Sequence, residues 1–307
     1  IGPIPGARVF FTGSGSESID TVMKLARIAH VQAGEGQRKL IISRVRGYHG
    51  TAYGGTSAQG IAPNRENFGP YVDEVVQVPA DDIEALATLM TQRGNEPVQG
   101  AGGIFPAEDG YLEGLRKLCD QHGAYLVFDE VITGFGRLGT WFGAHHYGVT
   151  PDFATFAKGV TSGYQPLGGV FVGPRPAAAL EASPDFFLRH GFTYSGHTTA
   201  CAAALKNLEI IEREGLLARA LVMGDRLAVG LRALADDGSI DHVRGLGGMW
   251  AAGLRPDQNA MAMRDVMFDE GVVCRALNAD SLLFCPPLVT TDEQVDKIVD
   301  AVAAAAR

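Results

Sequence analysis

The chain contains no uninterrupted apolar stretch long enough to span a bilayer, and its opening Ile1-Gly2-Pro3-Ile4-Pro5 is not a signal peptide. A membrane partner is therefore not expected. Runs of Lys or Arg that could track a phosphate backbone are also missing. Asp and Glu outnumber Lys and Arg by 35 to 26, for a net charge of -9, so nucleic acid is not an expected partner either. Cysteine is scarce: Cys119, Cys201, Cys274 and Cys285 show neither C-x-x-C spacing nor the density of a disulfide scaffold. Their scatter suits a reducing compartment, and a cytoplasmic location is the expectation. The pair His145-His146 has no Cys or carboxylate at ligand spacing, and neighbouring side chains diverge, so it reads as structural and no metal is expected. An initiator Met is lacking as well. The chain runs almost at once into Arg8-Val9-Phe10-Phe11, a core-strand pattern, so a further segment upstream is expected.

What is present is a globular composition, 46% hydrophobic and 20% charged over 307 residues, enough for one large domain and a smaller one. Glycines are dispersed and punctuate short apolar runs in a repeating order of strand, turn and helix. Residues 8–12, 40–43, 124–128, 153–156 and 169–172 read as strands. Residues 17–33 carry Ile19, Val22, Met23, Ala26 and Ala29 at helical spacing, and residues 111–122 carry Leu112, Leu115 and Leu118. The class is α/β, with a mostly parallel central sheet covered by helices on both faces. Beyond about residue 215 the character changes. Helices at 216–234, 261–270 and 291–305 alternate with strands at 249–254, 272–275 and 281–285, a small α+β domain. The expected division is 1–215 and 216–307, with a helix at 198–213 closing the first part and Thr290/Thr291 able to cap the last helix.

Three places carry chemistry. Gly13-Ser14-Gly15-Ser16-Glu17-Ser18 follows a strand and opens a helix, where free N–H groups and the helix dipole attract an anion. Ser14 and Glu17 also have capping-box spacing, so a plain Gly-rich cap explains the segment equally well. The turn lacks the G-K-[ST] ending of a P-loop and the third Gly of the dinucleotide fingerprint. Asp129 ends the apolar run Tyr125-Leu126-Val127-Phe128, at the carboxyl end of a strand where ligands gather in α/β sheets. It could partner a pyridinium N–H or cap a nearby loop; Glu130, its neighbour, should point elsewhere. Lys158 ends Phe153-Ala154-Thr155-Phe156-Ala157, where lost hydration favours a neutral, nucleophilic amine. A snorkelling surface lysine is the alternative, and the pairing with Asp129 on another strand end argues against it.

These residues, with others in order, resemble the class III aminotransferases of the fold-type I enzymes that use pyridoxal 5'-phosphate (PLP), in particular the branch acting between amines or ω-amino acids and pyruvate. The resemblance runs from about residue 5 to 298. It is carried by residues 10–17, Gly47-Tyr48-His49-Gly50, residues 96–103, Phe128-Asp129-Glu130-Val131 and its continuation to Arg137, Ala157-Lys158-Gly159, residues 191–197 and Cys285-Pro286-Pro287-Leu288. It implies that Ser14, Gly15 and Ser16 hold the cofactor phosphate and that Tyr48 stacks on the ring, beside His49. It implies that Asp129 binds the ring nitrogen, that Val131 packs on the opposite face, and that Lys158 forms the Schiff base and moves the substrate proton. It further implies a homodimer in which Phe192 and Thr193 reach the neighbouring subunit's phosphate. Glu96 and Arg275 are implied near the substrate, with Arg275 in a mobile loop that swings toward carboxylates.

The chain departs from the family pattern twice. The N-terminal stretch of the family is not there, and no hydrophobic strand stands ahead of Glu96-Pro97-Val98, where Thr91-Gln92-Arg93-Gly94-Asn95 enters directly from a helix. The expected function is ping-pong transfer of an amino group from an amine or ω-amino acid to pyruvate. The competing readings are an aminomutase or decarboxylase-like PLP enzyme and a truncated, inactive PLP-binding remnant. A nicotinamide enzyme would explain the Gly-rich turn but not Asp129, Lys158 or Thr193.

Overall fold

The computed structural model describes residues 1–84 and 104–307. They form two compact units, one of residues 1–84, Ala107–Phe135 and Trp141–Ile210, the other of residues 104–106, Gly136–Thr140 and Ile211–Arg307. Among the described residues no helix is long and apolar enough to cross a membrane.

The first unit begins with β1 (Arg8–Thr12) and α1 (Gly15–Gln32). Next come β2 (Ile41–Arg44), the short α2 (Tyr53–Ala58), β3 (Val75–Val78), α3 (Tyr111–His122) and β4 (Val127–Asp129). The one-turn α4 (Gly143–Tyr147), β5 (Phe153–Phe156), β6 (Gly168–Val172) and α5 (Pro174–Glu181) follow, and α6 (Thr198–Arg213) ends the series. Four strands make one sheet in the order β1-β6-β5-β4. The pair β4/β5 is parallel, while β6 lies antiparallel to both β5 and β1. Two reversals restore direction, so β1, β5 and β4 all point the same way and end on the same edge. Helix α1 covers the sheet because its apolar spacing puts Val22 and Leu25 on one face, against Phe153, Val170 and Val172. Each such side chain contributes roughly 1.5–3 kcal/mol by leaving water.

Strand β4 starts later than its apolar run suggests. The Leu126 amide donates to the Asp152 carboxylate at 2.8 Å, and the Leu126 carbonyl accepts the Asp152 and Phe153 amides, so the Leu126 amide is taken by a side chain and not by a neighbouring strand. Asp152 is a junction. It also accepts Arg116 of α3 at 2.8 Å and Arg175 of α5 at 2.7 and 2.8 Å, fixing the ends of β4 and β5 opposite those that carry Asp129 and Lys158. Burial pushes its carboxyl pKa up, but the hydrogen bonds and charge of Arg175, the charge of Arg116 and the Leu126 amide outweigh this and hold it below the usual range. Its stabilising contribution is thus present above the unfolded carboxylate pKa and is lost as pH falls through the lower folded value. Asp152→Ala removes the acceptor shared by the half-buried Arg116 and the exposed Arg175, which keep only Asp120 and the Ala124 carbonyl, and a loss of about 2 kcal/mol at pH 7 is expected in urea unfolding. That difference should shrink in acid.

β2 and β3 form a separate parallel pair. Among the described residues β4 bonds only to β5 and β2 only to β3, and a cavity of about 120 Å³ lies beside them, lined by Ile19, Val22 and Met23 of α1, Ile42 of β2, and Tyr125 and Val127. The stretch ahead of Glu96, where the sequence shows no hydrophobic strand, lies outside the described residues.

In the second unit, α7 (Leu216–Asp236), β7 (His242–Leu246), β8 (Met249–Gly253), α8 (Ala260–Asp269), β9 (Arg275–Leu277), β10 (Ser281–Phe284) and α9 (Asp292–Ala305) follow in order. The sheet is antiparallel, β7-β8-β10-β9. Leu227, Leu231, Trp250, Leu282, Phe284 and Val302 share its core. Thr291 caps α9 in a capping box with Gln294. The strand expected at 272–275 lies later, because a turn at Asn278 (φ 51°) sets the pairing of Ala276 with Leu282. Val272 joins the core instead.

Candidate active site

The carboxyl ends of β1, β5 and β4 deliver the Gly13 turn, Lys158 and Asp129 to one edge of the sheet. At β1, Ser14 is the N-cap of α1 and its Oγ accepts the Glu17 amide at 3.2 Å. The Glu17 carboxylate reaches back to the Gly13 amide at 2.7 Å rather than to the cap residue itself. The cap and the anion site are therefore compatible: capping takes the Glu17 and Gly13 amides, while Gly15 and Ser16 open the first turn, where amides have no intrahelical acceptor. Ser16 Oγ accepts the Thr51 amide at 3.0 Å and keeps its own proton to donate.

That bond joins the turn to the loop carrying Tyr48 and His49. Gly50, at φ +89°, passes so close that an added Cβ would sit 2.8 Å from the Ser16 Cα. Tyr48 is half-buried and His49 buried. The His49 Nδ1–H donates to Asp129 Oδ2 at 3.0 Å, while Oδ1 accepts the Val131 amide at 3.1 Å and the Thr155 hydroxyl at 3.2 Å. Burial raises the Asp129 pKa. The His49 bond and charge, the Val131 amide and the nearby Lys158 ammonium outweigh it, and the net shift is downward. Asp129 is thus an anion throughout the neutral range. Glu130 points the other way, as strand alternation requires: it accepts the Thr133 hydroxyl and the Gly143 and Ala144 amides at the start of α4.

Lys158 is exposed and has φ 41°, in the left-handed region that side chains avoid. It opens a single 3₁₀ turn, Lys158–Val160, tied by Asn207 of α6 to the Gly159 and Val160 carbonyls at 2.8 and 3.1 Å. Such a conformation costs about 1–2 kcal/mol.

Phe192 and Thr193 line a cleft with Gly13, Ser14, Glu17 and Gln165 of the same chain. Arg275 is exposed and is the first residue of β9, paired with Leu283, not part of a loop. Glu96 lies outside the described residues. His145 and His146 meet Phe142 and Tyr147 edge-on. Two contributors escaped the sequence reading, Thr155 on Asp129 and Thr51 on Ser16. Thr155 meets Asp129 through the parallel register of β4 and β5, which local sequence pattern does not carry.

The residues present fit PLP. A phosphate suits the first turn of α1, and an anionic Asp129 suits a protonated ring nitrogen. Val131 packs on Gly15 so closely that an added Cβ would lie 2.9 Å from its Cγ1, so only glycine fits beside it in the turn that would hold the phosphate.

The comparisons with known proteins agree. The profile of the class-III aminotransferases matches residues 3–306. An omega-aminotransferase of Caulobacter vibrioides is 37% identical, over 96% of this chain and 74% of its own. A beta-alanine–pyruvate aminotransferase of Pseudomonas aeruginosa is 35% identical, over 99% of this chain and 76% of its own. The crystal structure of an amine transaminase from an uncultivated Pseudomonas species, in a PLP-bound form, superposes with a TM-score of 0.91 at 34% identity, over 97% of this chain and 76% of that one. With a fold-type I architecture, a site that fits PLP and a family match along nearly its whole length, the chain belongs to the class III aminotransferases.

Proposed function

We propose that this enzyme, a PLP-dependent aminotransferase by family, moves the amino group of a primary amine or ω-amino acid to pyruvate, with Lys158 and Asp129 as its catalytic pair. The observation that carries the residue assignment is the convergence of three like-directed strand ends, which brings an anion-binding turn, a half-buried low-pKa carboxylate and an amine to one edge. When bound, PLP supplies an electron sink for the carbanion left when a substrate loses its α-proton. Gly15 and Ser16 hold its phosphate, with Ser14 fixing the turn. Tyr48 and Val131 bracket the ring. Asp129, oriented by His49, Val131 and Thr155, keeps the ring nitrogen protonated. Lys158 anchors the cofactor and then carries the substrate proton.

The same reading divides the chain into a cofactor domain, 1–215, and a small domain, 216–307, and places Arg275 and Glu96 near the substrate. It makes the protein a cytoplasmic homodimer in which Phe192 and Thr193 serve the neighbouring subunit. The exposed aromatic side chains of Tyr164 and Tyr194, 83% and 74% accessible, and Leu205, at 70%, support a covering partner in this unit. The substrate class is supported by the relatives named for omega-amino and beta-alanine–pyruvate transfer.

Product analysis with one amine donor, with and without pyruvate, tests the function. Expected is alanine formed from pyruvate in step with the carbonyl product of the donor, and a single turnover per site without pyruvate. Sustained turnover without pyruvate, giving an isomerised amine or carbon dioxide, would point to a mutase or decarboxylase and overturn it.

A further inference from the structure

The segment between α5 and α6 carries Phe192 and Thr193, and one imidazole holds it. His190 Nε2 is hydrogen-bonded at 2.9 Å to the hydroxyl of Thr21, a buried residue of α1. One face of the ring stacks on Phe10 of β1, with centroids 5.3 Å apart and planes 9° from parallel. Phe192 meets the ring edge-on at 5.2 Å and 77°. His190 thereby touches both elements that build the phosphate turn, the strand entering it and the helix leaving it, as well as an aromatic neighbour of Thr193. Residues 192–195 are a closed turn: the Ser195 amide donates to the Phe192 carbonyl at 3.1 Å, and the Phe192 amide donates to Ser195 Oγ at 3.2 Å. Phe192 and Thr193 therefore move together. Burial, reinforced by Lys24 and opposed by Asp20, lowers the imidazole pKa, which keeps the ring neutral and suited to stacking on Phe10.

We propose that His190 is a positioning residue that rivets the Thr193 turn to β1 and α1 and so sets the phosphate contact made by Thr193. The inference rests on the reading above that Thr193 binds the cofactor phosphate. In a homodimer sharing its sites, the same ring ties one subunit's phosphate turn to the loop that serves the other's. The stack and the Thr21 bond together restrict a chain segment that has no ladder or helix of its own.

The test compares binding of PLP and of pyridoxal, which lacks the phosphate, to the full-length protein freed of cofactor. A lost hydrogen bond to a charged phosphate weakens binding by about 10-fold or more. His190→Ala is expected to weaken PLP by about this factor and to leave pyridoxal within about twofold, since the ring and lysine contacts are untouched. Thr193→Ala should do the same, and the double variant should bind no worse than Thr193→Ala alone. Equal losses for both ligands, or losses that multiply in the double variant, would overturn the proposal in favour of a general packing role. Should His190→Ala fail to fold, Thr21→Val removes the same bond from the helix side and is read identically. If Thr193→Ala leaves PLP binding unchanged, the phosphate reading falls and the proposal with it. If Thr193→Ala weakens it and His190→Ala does not, the proposal alone fails.

Discussion

Lys158→Ala is expected to reduce transamination by at least about 10⁴-fold, because in the proposed assignment the substitution removes both the covalent anchor and the base that would carry the substrate proton. The fold should survive. Lys158 is exposed, its backbone is held by Asn207 through the carbonyls of Gly159 and Val160, and neither contact uses the amine. The backbone makes a second measurement informative. With φ at 41°, alanine suffers the same left-handed strain as lysine, whereas glycine does not. Lys158→Gly should therefore melt higher than Lys158→Ala, by about 1 kcal/mol, while being equally inactive. Stability moving one way and activity the other would show that the strain is retained for the amine's placement. Turnover by Lys158→Ala near the parent rate, or an unaltered absorbance of lysine-linked cofactor, would end the assignment.

Much of this arrangement is written in local pattern, and the exceptions have physical causes. α1, β1 and β5 are legible because each is either strongly periodic or a short apolar run bounded by glycine. The Gly13 turn is legible as an anion site and as a cap, and in the structure the cap takes the Glu17 and Gly13 amides. What local pattern does not contain is pairing. Nothing in residues 168–172 announces that β6 runs against both neighbours, yet that reversal keeps β1 parallel to β5 and brings the Gly13 turn and Lys158 to one edge. Thr155 and Thr51 were hidden for the same reason, as contacts made across strands and loops. β3, α2, α4 and β7 are short, and β7 interrupts its apolar residues with Arg244 and Gly245, which masks a two-residue period. The reading that a strand is lacking ahead of Glu96 concerns residues outside the described ones.

Asp129→Asn should lower the rate by about 10³-fold while leaving the protein folded. The geometry says why the isosteric change is not benign. Asp129 Oδ1 accepts two donors, the Val131 amide and the Thr155 hydroxyl, and Oδ2 accepts the Nδ1–H of His49. Asparagine offers one oxygen. If it stays with Val131 and Thr155, its NH₂ faces the His49 Nδ1–H donor, and the imidazole must shift its proton to the other nitrogen to accept. The side chain keeps its place but loses the negative charge that, in the proposed assignment, would hold a proton on the ring nitrogen of bound PLP and so support the electron withdrawal the cofactor would supply. The loss should fall on kcat with KM changed little, since substrate does not touch this residue. The sign of the pH dependence follows from the folded pKa. Burial raises it, but His49, the Val131 amide and Lys158 bring it below the ordinary value. The stabilising contribution of Asp129 is thus present above the unfolded carboxylate pKa and disappears as pH falls through the lower folded one. Between about pH 5 and 8 the carboxylate does not titrate, so any acidic limb in kcat there belongs to another group. An Asp129→Asn enzyme with parent-like kcat, or one whose loss is confined to KM, would move the ring-nitrogen partner away from Asp129.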